Sequence, residues 1–333
     1  MNYFNSTVLV EPTNICNLKC IMCEAKCTVE AGINEAEYLL PEQFEIILNK
    51  LDGHITNVVF QGDCEPTLSP YLEELVRCSK KHTEQIAIVT NGTALTQERI
   101  ENLIEAGVTW FALSIDDYRE DKYNQIRKYS DFRRLIRNLD YLIKVRNEKY
   151  PYLYLVTHKI VFHEDSTEDL LNYINYFYIK KGVNKITFAP LVESGSIEEK
   201  EWIVRRNLLE NELIKKNIHI NLKDFANYPY MSNYKYCGTA LYFINHNGDF
   251  APCGLHTRDH KIFGNLIEEE LDDIKSKKIF NDFHEYWYNR NFLDTPPLIC
   301  KDCYLLKSPY FRYCLDDSYQ NAQNIFERNC VKE

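Results

Sequence analysis

Apolar positions recur along the first 190 residues in two alternating rhythms. Short aliphatic and aromatic runs read as strands: Val8-Leu9-Val10, Asn57 to Phe60, Ile86 to Val89, Trp110 to Ile115, Tyr154 to Phe162 and Lys185 to Phe188. Between them the period lengthens to that of a helix. Pro41 opens the first helical stretch, where its missing N–H is harmless, and Phe44, Ile47, Leu48 and Leu51 form an i, i+3, i+4, i+7 stripe. Leu72 to Val76, Glu98 to Ala106, Phe132 to Val145 and Leu170 to Ile179 follow as helices, and Gly107 ends the second of these. Six βα units in order predict a parallel sheet with helical crossovers. Such sheets carry their chemistry in the loops after the carboxyl ends of the strands.

The rhythm changes near residue 195. A helix is expected from Trp202 to Lys216. Beyond it, Leu241 to Ile244 and Phe250-Ala251 flank Asn245-His246-Asn247-Gly248-Asp249, a hairpin-type turn. The expected division is an α/β core over 1–195, a linking segment over 196–230 and a smaller domain over 231–333.

Composition narrows the function classes. The net charge of −10 over 333 residues is spread rather than blocked, which argues against nucleic acid as the main partner. No run of 18 apolar residues predicts a membrane span, and Met1 to Asn5 lead into no secretory signal, so a cytoplasmic location is expected. Thiols stay reduced there, so twelve cysteines favour metal or redox chemistry over disulfides.

Cys16, Cys20 and Cys23 give the spacing C-x3-C-x2-C in the loop after the first strand. Three thiolates hold three irons of a cubane and leave the fourth open, and an open metal position is built for chemistry. Zinc is the alternative, with Cys27 as a fourth ligand.

Together, the triplet and the βα series over about residues 6–190 resemble the radical S-adenosylmethionine (SAM) superfamily. The resemblance implies a partial (β/α)6 TIM-like barrel with a 4Fe–4S cluster on Cys16, Cys20 and Cys23. SAM would chelate the open iron and be cleaved reductively to methionine and a 5′-deoxyadenosyl radical that takes hydrogen from substrate. A flavodoxin- or ferredoxin-type protein would supply the electron. Met22 occupies a position that packs near the adenine. Gln61-Gly62-Asp63-Cys64-Glu65-Pro66 is similar to the Gly-Gly-Glu-Pro segment that binds the methionine amino group. Gly62 allows close backbone approach and Glu65 offers a carboxylate, whereas Asp63 and Cys64 depart from the usual glycines. By the same resemblance Asn91, Ser114 and Asp116 meet the SAM ribose or carboxylate, and Leu191 lines the adenine. Arg127 is a candidate partner for a carboxylate.

The C-terminal cysteines extend the likeness. Cys237, Gly248 and Cys253 fit the opening of the family's SPASM extension, and Cys300-Lys301-Asp302-Cys303 follows. The full SPASM pattern does not continue, because Cys314 and Cys330 come too late. The shorter "twitch" version is the closer match, with one auxiliary 4Fe–4S cluster on Cys237, Cys253, Cys300 and Cys303. A zinc ribbon from the same thiolates is the alternative. Radical SAM epimerases return a hydrogen atom from a free cysteine, a role open to Cys314 or Cys64. Cys78 falls in a helix and reads as packing.

The leading expectation is oxidation or epimerisation of a small polar substrate such as a sugar or aminocyclitol. It draws on the single auxiliary cluster and on a chain that begins at its first strand, without room for a leader-peptide domain. The alternatives are a ribosomal-peptide maturase and a non-catalytic zinc-binding α/β module.

Overall fold

The computed structural model describes residues 6–23, 35–191, 199–218, 220, 241–252, 261–289 and 297–301. Its strands are β1 (Ser6–Val10), β2 (Lys19–Cys20), β3 (Ile55–Phe60), β4 (Ile86–Thr90), β5 (Trp110–Ser114), β6 (Arg127–Lys128), β7 (Tyr154–Val161), β8 (Lys185–Pro190), β9 (Leu241–Ile244), β10 (Asp249–Ala251) and β11 (Gly264–Asn265). The helices used below are α1 (Pro41–Lys50), α2 (Leu72–Lys80), α3 (Gln97–Ala106), α4 (Glu120–Ile126), α5 (Phe132–Glu148), α6 (Thr167–Ile174) and α7 (Glu199–Lys215).

The six strands expected from the apolar runs lie side by side and parallel, in the order β1-β3-β4-β5-β7-β8. Side chains alternate between the two faces of each strand. Val8, Val10, Val58, Phe60, Ile88, Phe111, Leu113 and Phe188 are fully buried and form the core. The intervening residues, among them Thr7, Leu9, Val59, Gln61, Val89, Ser114, His158 and Thr187, are half-buried. That second face is the less buried of the two.

The helices begin where side chains can satisfy their first N–H groups. Thr96 accepts from the Arg99 N–H to start α3, and Asp131 accepts from the Arg134 N–H to start α5. Ser166 and Asp169 form a reciprocal capping box on α6. The helix expected from Leu170 to Ile179 does not continue regularly. It widens into a π-helical turn over Asn175–Lys181, ended by Gly182 at φ 76°. The turn keeps Phe177 buried against Tyr173, with ring centroids 4.6 Å apart.

The C-terminal hairpin extends this same sheet. β9 runs parallel to β1, with Val8 opposite Tyr242 and Val10 opposite Ile244, and β10 and β11 add antiparallel outside it. β1, which carries the cysteine loop, is therefore an inner strand of a nine-stranded sheet. Among the described residues no helix is long and apolar enough to cross a membrane.

Candidate active site

The cysteine loop leaves the carboxyl end of β1 and is pinned from two directions. On one side, β2 and β6 form a two-residue antiparallel ladder that sets Cys20 opposite Arg127, and the Ile21 N–H donates to the Ile126 carbonyl at 2.9 Å. On the other, Asn17 donates to Thr93 Oγ1 at 2.9 Å and accepts from Asn91 Nδ2 at 2.9 Å. Cys16 and Cys20 are half-buried and Cys23 is exposed. Asn17 and Thr93 were not singled out from the sequence, where a lone amide and a lone hydroxyl carry no period or spacing.

Asp116 and Arg127 converge on Cys20. Asp116 is fully buried at the end of β5. Its Oδ2 accepts from Arg127 Nε at 2.6 Å and its Oδ1 from the Ile160 N–H at 2.8 Å. Arg127 Nη1 then donates to the Cys20 sulfur at 3.7 Å. Burial opposes the Arg127 charge, but Asp116 holds its pKa above the ordinary value. Burial pushes the Cys20 thiol up to about 11, against the pull of Arg127.

This donor set fits an anionic iron–sulfur cluster: three thiols on one short pinned loop, with a buried guanidinium against one of them. Among the described residues no three His, Cys, Asp or Glu side chains converge on a single metal ion. Cys27 lies outside the described residues.

The loop after β3 is organised by carboxylates. Glu65 is buried and accepts four hydrogen bonds: from the Thr67 N–H, the Thr67 hydroxyl, the Thr90 hydroxyl and the Asn91 N–H. It clamps the β3 loop to the end of β4 rather than standing open toward an ammonium. Gly62 is required by a different carboxylate. A Cβ there would sit 2.3 Å from Glu11 Oε2, the atom that accepts the Asp63 N–H at 2.6 Å. Asn91 likewise spends its side chain on Asn17 and Thr93.

The less buried face carries Ser114, His158 and Thr187 in one row across β5, β7 and β8. Burial and Arg127 lower the His158 pKa, with Asp116 working against them, so its imidazole favours the neutral form. The next residue, Lys159, points to the helix side and is buried. It donates to the Asp116 carbonyl and to Asp165, which also receives Lys122. Met22, Cys64 and Leu191 are half-buried, and the Leu191 N–H donates to the Val161 carbonyl at 3.0 Å. Cys78 sits in α2 with its sulfur 3.9 Å from the Pro41 carbonyl. Cys300 is buried, while Cys237, Cys253, Cys303 and Cys314 lie outside the described residues.

A family model of the radical SAM superfamily matches residues 10–177, about half of the chain, from the end of β1 through α6. The chain belongs to the radical SAM superfamily. A second model, for the SPASM iron–sulfur cluster-binding domain, matches residues 236–304, a span that includes Cys237, Cys253, Cys300 and Cys303. This radical SAM protein is thus an enzyme of SAM, a SAM-binding 4Fe–4S cluster and auxiliary iron–sulfur binding. It is 24% identical over 324 residues to the tungsten-containing aldehyde ferredoxin oxidoreductase cofactor-modifying protein of Pyrococcus furiosus, covering 89% of this chain and 86% of that one. Its fold is shared by Streptococcus suis SuiB bound to its precursor peptide SuiA, with a TM-score of 0.69 at 16% identity, covering 92% of this chain and 71% of that one. It is shared as well by anSMEcpe with bound AdoMet, with a TM-score of 0.63 at 18% identity, covering 96% and 99%.

Proposed function

We propose that this enzyme abstracts hydrogen from a small polar substrate held over the less buried face, and oxidises or epimerises it. The row formed by Ser114, His158 and Thr187 carries this reading: three hydrogen-bonding groups lie side by side across β5, β7 and β8, and His158 feels Asp116 and Arg127, which brace the cysteine loop.

In this reading Cys16, Cys20 and Cys23 hold the SAM-binding cluster, and Cys237, Cys253, Cys300 and Cys303 the auxiliary one. Met22, the Gly62–Cys64 backbone and Leu191 surround SAM, and Ser114 stands between SAM and the substrate. When bound, the cofactors would supply the redox chemistry: reductive cleavage of SAM at the first cluster and an electron sink for an alcohol oxidation at the auxiliary one. The protein's work is positional, and proximity of this kind contributes about 7–11 kcal/mol. His158, kept neutral by burial, accepts the substrate's hydroxyl proton. Asp116 and Lys159 tie the segment after β5 to β7 beside that row.

The test is label transfer. Anaerobic enzyme, SAM and reductant are incubated with deuterated sugars and aminocyclitols, and in parallel with deuterated peptides. Deuterium reaching 5′-deoxyadenosine from the small polar pool alone supports the proposal. Transfer from peptides alone overturns it.

A further inference from the structure

Tyr123 has a side chain with no solvent exposure and a hydroxyl that meets no hydrogen-bond partner. It lies in α4, one turn before Arg127, which caps that helix. Residues four apart share a helix face, so Tyr123 and Arg127 project to the same side. That side is the cysteine loop, because the β2–β6 ladder sets Arg127 opposite Cys20. The ring of Tyr123 is held against Phe132, with centroids 5.2 Å apart. The charged or ionisable groups that act on its hydroxyl are Arg127, Asp116, Cys20 and Glu65.

Two of these neighbours are acceptors already in use. Asp116 takes Arg127 and the Ile160 N–H on its two oxygens, and Glu65 takes donors from Thr67, Thr90 and Asn91. Arg127 is itself a donor. The third acceptor of the group is the Cys20 sulfur, which takes Arg127 Nη1 at 3.7 Å and has lone-pair capacity for a second donor. A buried phenol with no partner, one helical turn from the guanidinium that reaches Cys20, is a donor with its capacity unspent.

We propose that Tyr123 is a positioning residue for the SAM-binding cluster: its hydroxyl donates to the sulfur held at Cys20 and, with Arg127, sets the cluster's reduction potential. The inference rests on the assignment of that cluster to Cys16, Cys20 and Cys23. Hydrogen bonds to cluster sulfur disperse negative charge and favour the reduced form. Two donors on one sulfur make the cluster easier to reduce.

The test is an anaerobic redox titration, followed by EPR, of the cluster whose signal changes when SAM is added. Tyr123→Phe is expected to keep its iron and to titrate at a potential lower by about 59 mV, the one-electron equivalent of a tenfold change in reduced fraction. Installing 3-fluorotyrosine at position 123 keeps the shape and strengthens the donor, and is expected to shift the potential upward. Opposite shifts in the two variants are not produced by a role in packing alone. An unchanged potential in the fluorinated variant overturns the proposal, whether or not Tyr123→Phe folds. Should the Cys16, Cys20 and Cys23 triple alanine variant keep the SAM-responsive signal, the ligand assignment fails, and this is read separately from the Tyr123 shift.

Discussion

Asn91 donates its side-chain amide to Asn17 Oδ1 at 2.9 Å, and so ties the loop after β4 to the middle of the cysteine loop after β1. Asn17 passes the link on to Thr93, whose N–H and hydroxyl both return to Asn91. The cysteine positions are thereby set by a neighbouring strand end as well as by their own chain. Asn91→Ala leaves Asn17 and Thr93 short of partners, at a cost of about 1–3 kcal/mol. It is expected to speed the loss of iron to a chelator several-fold while the helical CD signal is kept. Equal chelation rates in variant and wild type would show that the link does not hold the loop.

Glu65 is expected to act on stability before it acts on SAM affinity. Glu65→Gln keeps the shape but turns one acceptor into a donor facing donors. With charged hydrogen bonds worth about 1.5–3 kcal/mol each, a loss of at least about 2 kcal/mol in urea unfolding is expected. A variant as stable as wild type that binds SAM weakly would mean that the carboxylate faces the ligand instead.

Lys159 and Asp165 form an ion pair at 2.8 Å with side-chain exposures of 1% and 0%. Removing one partner of a buried pair costs about 3–5 kcal/mol. Lys122 remains on Asp165 at 2.7 Å, so Lys159→Met should fall at the low end, about 3 kcal/mol. Combining it with Lys122→Met should cost more than the sum of the two, because Asp165 is then buried alone. Strict additivity in thermal unfolding would show that the two lysines do not share one carboxylate.

The C-terminal hairpin carries a pH-dependent tie to the β3 loop. His246 Nε2 lies 2.9 Å from Glu37, and its Nδ1 lies 3.9 Å from Glu11, the residue that holds the Asp63 N–H. Burial works against the imidazolium, but hydrogen bonding and attraction from Glu11 and Glu37 raise its pKa above the ordinary value. A histidine with a raised folded-state pKa stabilises fully below its unfolded pKa of about 6.5 and loses that contribution as pH rises through the folded value. Urea midpoints should therefore fall as pH climbs above about 6.5, and His246→Gln should flatten that slope. A variant with the wild-type pH slope would remove His246 as the source.

The six parallel strands and the start of α1 at Pro41 were legible because each rests on local period or on one residue's backbone chemistry. The π-helical turn after α6 was hidden, since its apolar residues continue the α-helical period. The pairing of β9 with β1 could not be read, because it joins residues more than 200 positions apart and no local pattern records a partner. The β2–β6 ladder is two residues long on each side, too short to show alternation. At the site, Glu65, Asn91 and Asp116 stood out as polar groups at strand ends. What each one bonds depends on which loops meet there, and so their work as clamps emerged only in three dimensions. Tyr123 gave no signal, since a buried tyrosine in a helix reads as core.

The most direct measurement is 5′-deoxyadenosine formation from SAM and reductant by the anaerobically reconstituted protein. Wild type should form it, and the triple variant with alanine at Cys16, Cys20 and Cys23 should form none. Undiminished formation by that triple variant would contradict the account.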